Sequence, residues 1–508
     1  MTSPTDTNSG AAGVNPWAAL GMLCLGVFMT LLDVTIVSSA TPSLIETFDA
    51  SIDQAVWVFS AYIMAFASTL IVAGRLGDLY GPRRTYLIGL TVFVVASVLC
   101  GLSQAPWQLI VLRAVQGVGG ALVVPQLMPM ITTLFPPQKW GAAFGFTGAL
   151  SGLAVLAGPL VGGVLVTGVG WRWIFYVNLP IGLLTFALVT RYLPDPRPAR
   201  RQPLGVGSVA LMLVGIGAVV FALVEGERLE WSGTVWAILA AGLVVLAVFL
   251  ADQRRRQSGV PLVPFALFRI HNFTVMNLIA VTVGFGVVGA FLPLTLYLQS
   301  VQGLSASEAG LVIAVMPLVS VLAAGVSGRL IESAGPKRLL ICGMVCFSAG
   351  LGLVAWQATA DASVWQLVGP LALAGAGTGF TFAPMFGVGL RDVPPERSGV
   401  ASGTVNTVQE FGGLLASAVI GVVLQTRLGA GRNIATGQPV EGGGEQSRAA
   451  LDAFHDTLAG AIRTSLVIQM CVLAAGALCA LAVRSAAPAA PAQDRPAGQQ
   501  EPRPAGID

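Results

Sequence analysis

Charge is scarce in this chain. Of its 508 residues, 10% are charged and 55% are hydrophobic, and the mean hydropathy is +0.79. Because soluble domains carry about 25% charged residues, this composition excludes a protein whose whole surface faces water. The formal net charge of +3 gives no indication of a nucleic-acid partner. We therefore expect most of the surface to face membrane lipid.

Residues typical of catalysis and metal binding are also scarce. The 2 histidines, His271 and His455, lie in different predicted loops, and no HExxH or GxSxG pattern occurs. Neither lysine belongs to a phosphate-binding GxxxxGK[ST] loop, which excludes an ATP-driven pump on this chain. The 6 cysteines lie in apolar runs without zinc or disulfide spacing. We expect neither an enzyme nor a metal or other cofactor.

Long apolar runs make up most of the sequence. About 20 apolar residues span a bilayer as a helix, and we find fourteen such runs, most of them separated by Gly, Pro or clustered charge. The first run has no basic start and no cleavage site, so we expect a retained helix and not a signal peptide. The predicted cores are 17–38, 54–74, 85–104, 107–130, 142–167, 173–192, 205–225, 233–251, 273–297, 308–328, 339–357, 364–388, 400–424 and 463–483.

Basic residues are divided unequally between the two sets of loops. Cytoplasmic loops retain Lys and Arg, and the loops on the side of the N-terminus hold most of them. The pattern predicts a multi-pass protein of the cytoplasmic membrane with both termini in the cytoplasm. The basic residues on that side include Arg83, Arg84, Arg197, Arg200, Arg201, Arg254, Arg255, Arg256, Lys337 and Arg338.

A charged segment of the sequence occurs twice, as GRLGDLYGPRR (74–84) and as GRLIESAGPKR (328–338). The first copy follows the second predicted helix. The second copy follows the tenth, which is the second helix of a later set of six. Two six-helix halves and a two-helix insert therefore account for all fourteen helices, and transporters built from internal repeats bind substrate between their halves.

The repeat predicts an all-α polytopic membrane protein with a defined order of segments. A basic, Pro-rich linker separates the first half from the insert, and the Pro/Ala/Gln-rich C-terminal tail is expected to be disordered. The predicted segments are an N-terminal segment (1–16), the N-terminal half (17–192), a cytoplasmic linker (193–204), the insert (205–251), a cytoplasmic loop (252–272), the C-terminal half (273–483) with an outer loop (425–462), and the tail (484–508).

Several motifs resemble the major facilitator superfamily, in its fourteen-helix drug:proton antiporter branch. GRLGDLYGPRR is similar to the signature loop between helices two and three, and LDVTIVSSATP (32–42) to the acidic motif of helix one. RAVQGVGGA (113–121) is similar to the fourth-helix motif that carries an arginine. WRWIFYVNLPIG (171–182) is also typical of this branch. The resemblance implies the major facilitator fold, and it covers all fourteen helices.

GFTGALSGLAVLAGPLVGG (145–163) resembles the fifth-helix antiporter motif, except that Ala154 stands where glycine is usual. Its glycines permit close helix packing and its proline a bend, and packing alone accounts for the motif as well as function does. By resemblance, it lies at the interface between halves and favours exchange over leak. The matching residues are Gly145, Gly158, Pro159, Gly162 and Gly163.

The signature segment has to turn sharply between neighbouring helices. Gly77 and Gly81 permit the turn, and Pro82 suits the first turn of the next helix. One interpretation is capping and topology alone. The resemblance implies instead a cytoplasmic latch that pairs with a neighbouring helix end in one conformation. The latch candidates are Gly74, Gly77, Asp78, Gly81, Arg83 and Arg84, with Glu332, Lys337 and Arg338 in the second copy.

Ionisable residues inside a bilayer are costly and are candidates for function. Asp33 and Arg113 fall at comparable depth on antiparallel helices, either as a structural ion pair or as a pair in which Asp33 titrates and Arg113 tunes its proton affinity. Glu410 is near the middle of helix thirteen, where, with Gln409, it replaces the arginine and glutamine of many relatives. It could bind cationic substrate, carry a second proton, or make a structural hydrogen bond. Glu225 is expected at the membrane interface.

Polar and aromatic residues within the helices could line a cavity that binds flat cations by stacking and cation–π attraction. Aromatic residues also simply belt membrane interfaces. The candidates are Trp57, Tyr62, Gln116, Gln126, Asn277, Phe291, Tyr297 and Gln299.

The sequence and the resemblance together predict a proton-coupled antiporter that exports hydrophobic, often cationic drugs by alternating access. The alternative is a dedicated exporter of a single compound, such as a self-made antibiotic. The expected partners are a small-molecule drug, protons and membrane lipid, without nucleic acid or ATP.

Overall fold

The computed structural model of this chain describes residues 15–136, 139–193, 205–226, 228–229, 231–257, 261–304, 306–359, 362–428 and 444–484. Every regular element in these ranges is helical, which satisfies backbone hydrogen bonds within each segment, as lipid requires. The α-helices are α1 (Pro16–Ile36), α2 (Thr41–Phe48), α3 (Ile52–Tyr80), α4 (Pro82–Gly101), α5 (Pro106–Val123), α6 (Leu127–Leu134), α7 (Trp140–Gly168), α8 (Trp173–Tyr176), α9 (Asn178–Tyr192), α10 (Val206–Glu225), α11 (Gly233–Arg255), α12 (His271–Leu296), α13 (Ala306–Ile313), α14 (Val315–Ala334), α15 (Pro336–Gln357), α16 (Val364–Arg391), α17 (Ser398–Leu428) and α18 (Gly444–Leu481).

The predicted number of membrane-crossing helices agrees with these elements. Within the described residues, 13 helical segments are long and apolar enough to cross a membrane. Helix α7, with 29 residues and an apolar sequence, is as long as these and completes the fourteen. Helices α5 and α6 form one crossing, joined by a 3₁₀ turn that contains Pro125. The all-α polytopic fold expected from the sequence is confirmed.

Helices α1–α9 form the first half of the protein and α12–α18 the second. Across the boundary, α3 packs against α17, and α7 packs against α14 and α16. In the insert, α10 packs against both α3 and α17, while α11 packs against α10. The insert therefore lies beside one of the two seams between the halves. An apolar cluster formed by α3, α10 and α17 fills that position, and it includes Ala67, Ile216 and Leu414.

Most of the charged segment is helical, and the turn within it is a single residue. Helix α3 continues to Tyr80 and α4 begins at Pro82, so Gly81 alone separates them, with a φ of +98°. The second copy repeats this geometry, with Gly335 at a φ of +80° between α14 and α15. At such positive φ angles glycine avoids the steric cost of a side chain. We name the end of the bundle that holds Gly81 and Gly335 the basic end.

The role expected for Gly77 in the turn is wrong, because Gly77 is helical. A Cβ atom at this position would overlap the side chain of Gln126, which donates from Nε2 to the Ala73 carbonyl at 2.9 Å. Gly77 therefore makes room for a neighbouring side chain instead of bending the backbone.

The last helix is longer than expected. Residues 444–462, predicted as part of an outer loop, form the first half of α18, which has 38 residues. Polar residues obscure the helix in the sequence, although apolar residues recur in it at helical spacing. The rest of that loop, 429–443, lies outside the described residues, as do 1–14, the linker 194–204 and the tail from 485.

Helices α15 and α16 meet at glycines that leave no room for a side chain. A Cβ atom on Gly377 would overlap the backbone of Phe347, and one on Gly350 would overlap Ala374. Small residues allow this close approach, which is how helices pack in membranes without a hydrophobic driving force.

We predict that Gly377→Val lowers the unfolding temperature of the purified protein, since overpacking a tight core costs about 1–3 kcal/mol. Gly369→Val on the same helix is the matched control, because a Cβ atom there has open space around it. Thermal unfolding followed by size-exclusion chromatography measures both. Equal unfolding temperatures for the two variants would contradict this account of the α15–α16 contact.

Candidate functional site

Asp33 lies near the end of α1 away from the basic end and is fully buried. Its Oδ2 atom accepts a hydrogen bond from the Arg113 guanidinium of α5. Its Oδ1 atom accepts from Gln116 Nε2 at 2.8 Å and from Asn178 Nδ2 at 2.9 Å. The carboxylate thus has a counter-ion and two amide donors, which compensate for the water it has lost.

Arg113 is held from several sides and is also fully buried. It donates from Nε to the Val58 carbonyl at 3.2 Å and from Nη1 to Gln116 Oε1 at 2.9 Å. Its guanidinium carbon lies 4.4 Å from the centre of the Tyr62 ring, a cation–π distance. Among the described residues the Nη2 atom of Arg113 has no hydrogen-bond partner. One of the three guanidinium nitrogens therefore makes no hydrogen bond to these residues.

Three of the predicted residues therefore meet at Asp33: Arg113, Gln116 and Tyr62. Gln116 and Tyr62 were expected to line a substrate cavity, but both are buried, and they contact the ion pair directly.

Sequence reasoning missed Asn178 and Ser97. Asn178 donates from Nδ2 to Ser97 Oγ at 3.0 Å as well as to Asp33, and both side chains are fully buried. The signal for Asn178 was the WRWIFYVNLPIG segment, where it is the one amide among mainly apolar and aromatic residues. Nothing in the sequence around Ser97 marks it as a partner.

Two glycines of the fifth-helix motif contact α1 in the same half, while Gly148 of the same motif faces Phe382 of α16 across the boundary between the halves. A Cβ atom on Gly158 would overlap Thr35, and one on Gly162 would crowd Ile36 and Ser39. Helix α7 also packs against α14 and α16 of the second half, so the expected place of the motif between the halves stays a prediction. Gly163 has open space around it. The surroundings of Gly145 and Pro159 lie outside the described part of the structure. Gly158 thus brings α7 close to α1 two residues from Asp33.

Asp78 makes a contact between the halves at the basic end. Its Oδ1 accepts from the Gly399 amide at 2.8 Å and its Oδ2 from the Val400 amide at 2.9 Å. These amides open α17, whose N-terminus carries partial positive charge. Gly74 lies one turn earlier on α3, and a Cβ atom there would overlap the Gly399 carbonyl. The acid and the glycine of the charged segment therefore meet the same helix start.

The basic residues after each turn contact helix ends within their own half. Arg83 donates from Nε to the Val189 carbonyl at 3.3 Å and also to Thr190, in the last turn of α9. Lys337 donates from Nζ to the Leu481 carbonyl at 2.7 Å, at the end of α18. Cations at helix C-termini are stabilising. Neither residue crosses between the halves, and the Glu332 side chain lies outside the described part of the structure.

Glu410 approaches the ion pair from the second half. It lies midway along α17, is half-buried, and interacts electrostatically with Tyr62 on α3. No hydrogen-bond partner is found for its carboxyl group among the described residues. Arg113 of the first half lies against the Tyr62 ring, and α3, which carries Tyr62, packs against α17, which carries Glu410.

The remaining cavity candidates are scattered, because their side chains are directed into local contacts. Gln126 contacts α3 below the turn; Asn277 donates to Phe273 one turn earlier on its own helix at 2.8 Å; and Tyr297 donates to the Thr359 carbonyl at 2.8 Å. Trp57 packs against Phe221 of the insert, with ring centres 5.7 Å apart. Phe291 and Gln299 are exposed. These six are therefore not brought together with Tyr62.

Glu225 is fully buried at the end of α10, away from the basic end, where it is paired with Arg228. It was expected at the interface.

The architecture defines a class: a multi-pass helical membrane protein of two six-helix halves, with an ion pair buried in one half. Comparison with known families gives the same result. Residues 23–417 match the model of the Major Facilitator Superfamily, so the chain belongs to this superfamily of transporters.

Individual relatives agree with the branch indicated by the motifs. The chain is 34% identical over 432 residues to a probable actinorhodin transporter of Streptomyces coelicolor, covering 82% of this chain and 75% of that protein. It is 30% identical over 423 residues to multidrug resistance protein 3 of Bacillus subtilis, covering 82% and 81%. The resemblance to the drug-efflux branch is confirmed.

A solved structure supports the fold. A human organic anion transporter superposes with a TM-score of 0.63 at 13% identity, covering 91% of this chain and 100% of that one. At this identity the likeness concerns the fold alone.

We predict that Asp33 and Arg113 are coupled energetically. Asp33→Asn or Arg113→Gln alone leaves a buried charge without its partner, which costs about 3–5 kcal/mol, whereas the double variant removes both charges and should recover much of the loss. Unfolding temperatures of the three variants measure the coupling. Losses that simply add in the double variant would contradict it. Asp392→Asn, in an exposed pair with Arg391, is the control and should have little effect.

Proposed function

We propose that the protein is a proton-coupled antiporter that exports hydrophobic, often cationic compounds across the cytoplasmic membrane. The observation that carries this proposal is the fully buried Asp33–Arg113 pair inside a membrane-crossing bundle. A carboxylate at such a place is expensive to maintain. Its retention is accounted for if the carboxylate takes up and releases a proton during transport.

The contacts of Asp33 support an exchange of partners. With Asp33 ionised, Arg113 neutralises it; with Asp33 protonated, the attraction to the guanidinium falls and Arg113 becomes free to move. Arg113 then keeps its contacts with the Tyr62 ring, Gln116 and the Val58 carbonyl. Proton binding can therefore change the position of a cation that lies against α3, a helix of the boundary between the halves.

The contact between Asp78 and α17 supports alternating access. It holds the halves together at the basic end in this conformation, so opening that end requires breaking two hydrogen bonds and separating Gly74 from Gly399. Helix-cap contacts of this kind are worth about 0.5–2 kcal/mol. That is strong enough to bias the closed state and weak enough to open, as a latch requires. The Arg83 and Lys337 contacts stay within the halves and are compatible with rigid-body rocking.

Basic residues support an orientation with the basic end in the cytoplasm. Arg83, Arg84, Arg254, Arg255 and Lys337 all belong to this end, and cytoplasmic segments retain Lys and Arg. In this orientation both termini are cytoplasmic. The proton gradient would supply the energy, because the sequence has no phosphate-binding loop for ATP.

Glu410 is the proposed substrate contact. A carboxyl group of intermediate exposure midway along α17 attracts a lipophilic cation. Glu410 has two alternative roles, as a second proton carrier or as a structural hydrogen-bonding group. Its intermediate exposure, together with the lack of a hydrogen-bond partner for its carboxyl group among the described residues, favours the substrate role.

A dedicated exporter of one compound is the second candidate. The relatives include a probable actinorhodin transporter as well as a multidrug resistance protein. The first name indicates transport of one compound, and the second indicates resistance to several drugs. A panel that includes both drugs and natural-product antibiotics separates the two functions by the number of compounds that respond.

We predict that substrate triggers proton release from inverted membrane vesicles with an acid interior, and that Asp33→Asn abolishes it. Lipophilic cations and neutral antibiotics are added in turn, and a pH-sensitive dye reports the interior pH. Asp252→Asn is the matched control, since this acid lies in an exposed pair on the insert. Release by Asp33→Asn equal to wild type would overturn the role of Asp33, and no release by wild type with any compound would count against proton coupling.

We predict that Asp78→Asn lowers turnover by about two- to thirtyfold, which is the effect of losing about 0.5–2 kcal/mol at a helix cap, without lowering the amount of protein in the membrane. The Gly399 and Val400 amides should also exchange hydrogen for deuterium faster. Asp392→Asn at the same end, in an exposed pair with Arg391, is the control. Unchanged turnover together with unchanged amide exchange would contradict the proposed latch role of Asp78.

A further inference from the structure

Asn178 is the first residue of α9, and its amide is fixed in one orientation. The Ser97 hydroxyl donates to the Phe175 carbonyl at 2.9 Å. Its oxygen is therefore left to accept, and it does so from Asn178 Nδ2 at 3.0 Å. The same Nδ2 atom donates to Asp33 Oδ1 at 2.9 Å. Ser97 thus points the amide nitrogen of Asn178 at the carboxyl group.

The two oxygens of Asp33 have different kinds of partner. Oδ1 accepts from two neutral amides, those of Gln116 and Asn178, while Oδ2 accepts from the Arg113 guanidinium. An amide N–H can donate to the carbonyl oxygen of a protonated acid as well as to a carboxylate. Oδ1 already accepts from two donors, whereas Oδ2 accepts from the guanidinium, so Oδ2 has the lone pair that is left for a proton. Protonation there removes the negative charge that holds Arg113, so Oδ2 is the oxygen whose partner changes when the group titrates.

We propose that Asn178 is a positioning residue for proton exchange, which anchors Asp33 Oδ1 so that a proton and Arg113 compete for Oδ2. The proposal rests on the proposed proton-coupled function. It assigns a role to α9, which carries neither Asp33 nor Arg113. The role is to help set the pH at which Asp33 takes up a proton. Gln116 shares the anchoring of Oδ1 but also accepts from Arg113, whereas Asn178 has no contact with the cation.

Few other groups that face Asp33 carry charge. Within the part of the chain that the structure describes, Arg113 on α5 is the one cation bonded to the carboxylate, and the Tyr62 phenol on α3 and the Cys100 thiol on α4 also lie close enough to interact with it. Glu410 of α17 interacts electrostatically with Tyr62. Helix α7, packed along α1, contains no ionisable residue, and the arginine of α9, Arg191, is in its last turn. The hydrogen bonds to Oδ1 are therefore a main influence on this acid besides Arg113.

The test follows the protonation of Asp33 directly and does not need a transported compound. The carbonyl stretch of a protonated carboxyl group is recorded by infrared spectroscopy of the purified protein in lipid nanodiscs, over a range of pH. Subtracting the spectrum of Asp33→Asn isolates the Asp33 band from that of Glu410. The variants are Asn178→Leu, which keeps the shape of the side chain without its donor, and Ser97→Ala, which removes the partner that orients Asn178.

We expect the midpoint of the Asp33 band in Asn178→Leu to move to higher pH by about one unit, a tenfold change in proton affinity, because the carboxylate has lost a donor. Ser97→Ala should move it in the same direction by less. Thr185→Val, also buried on α9 but bonded to its own helix through Ile181, should leave the midpoint unchanged. Where Asn178→Leu does not fold, Ser97→Ala and Thr185→Val decide the matter.

A purely structural role for Asn178 would give a lower unfolding temperature with an unchanged midpoint, and that result overturns the proposal. A shift of equal size in Thr185→Val would overturn it as well. The outcome is separable from that of the proposed function: the infrared midpoint tests Asn178, whereas proton release from vesicles tests antiport.

Discussion

Each charged side chain inside this protein needs a specific partner, because membrane lipid cannot solvate an ion. A neighbouring side chain or backbone group has to replace the water. Arg113 neutralises the charge of Asp33, and two amides donate hydrogen bonds to it. Asp78 is stabilised by hydrogen bonds from the first amides of α17. Each acid is thus tied to one conformation of its surroundings. When the surroundings change, the charge must find another partner or take up a proton, and that requirement joins electrostatics to movement.

The repeated charged segment shows how the two halves can be alike and yet move relative to each other. In each half, a cation just after the turn contacts the end of that half's last helix, through Arg83 in one and Lys337 in the other. These contacts strengthen each half as a unit. Asp78 instead reaches across to α17. Stable halves joined by a contact of modest energy are what rigid-body rocking needs, so the segment serves both requirements at once.

Much of the fold could be predicted because membrane helices are long, apolar and bounded by Gly, Pro and charge. The Asp33–Arg113 pair could be predicted too, since depth along antiparallel helices follows from counting residues. Side-chain direction could not: Gln116 and Gln126 look equivalent in the sequence, yet one bonds Asp33 and the other lies under the turn. Asn178 escaped notice because an amide at the start of a helix is ordinarily read as a cap. Residues 444–462 were too polar to be recognised as helix.

The proposed proton site and the proposed substrate site differ in how they relate to the two halves. Asp33 and its direct partners belong to α1, α5 and α9 of the first half, so titration alone can leave the seam intact. Tyr62 and Glu410 come from α3 and α17, which form the seam. Tyr62 joins the two regions, since its helix packs against α17 and Arg113 lies against its ring. A change in the position of Arg113 would therefore reach the seam through one aromatic side chain.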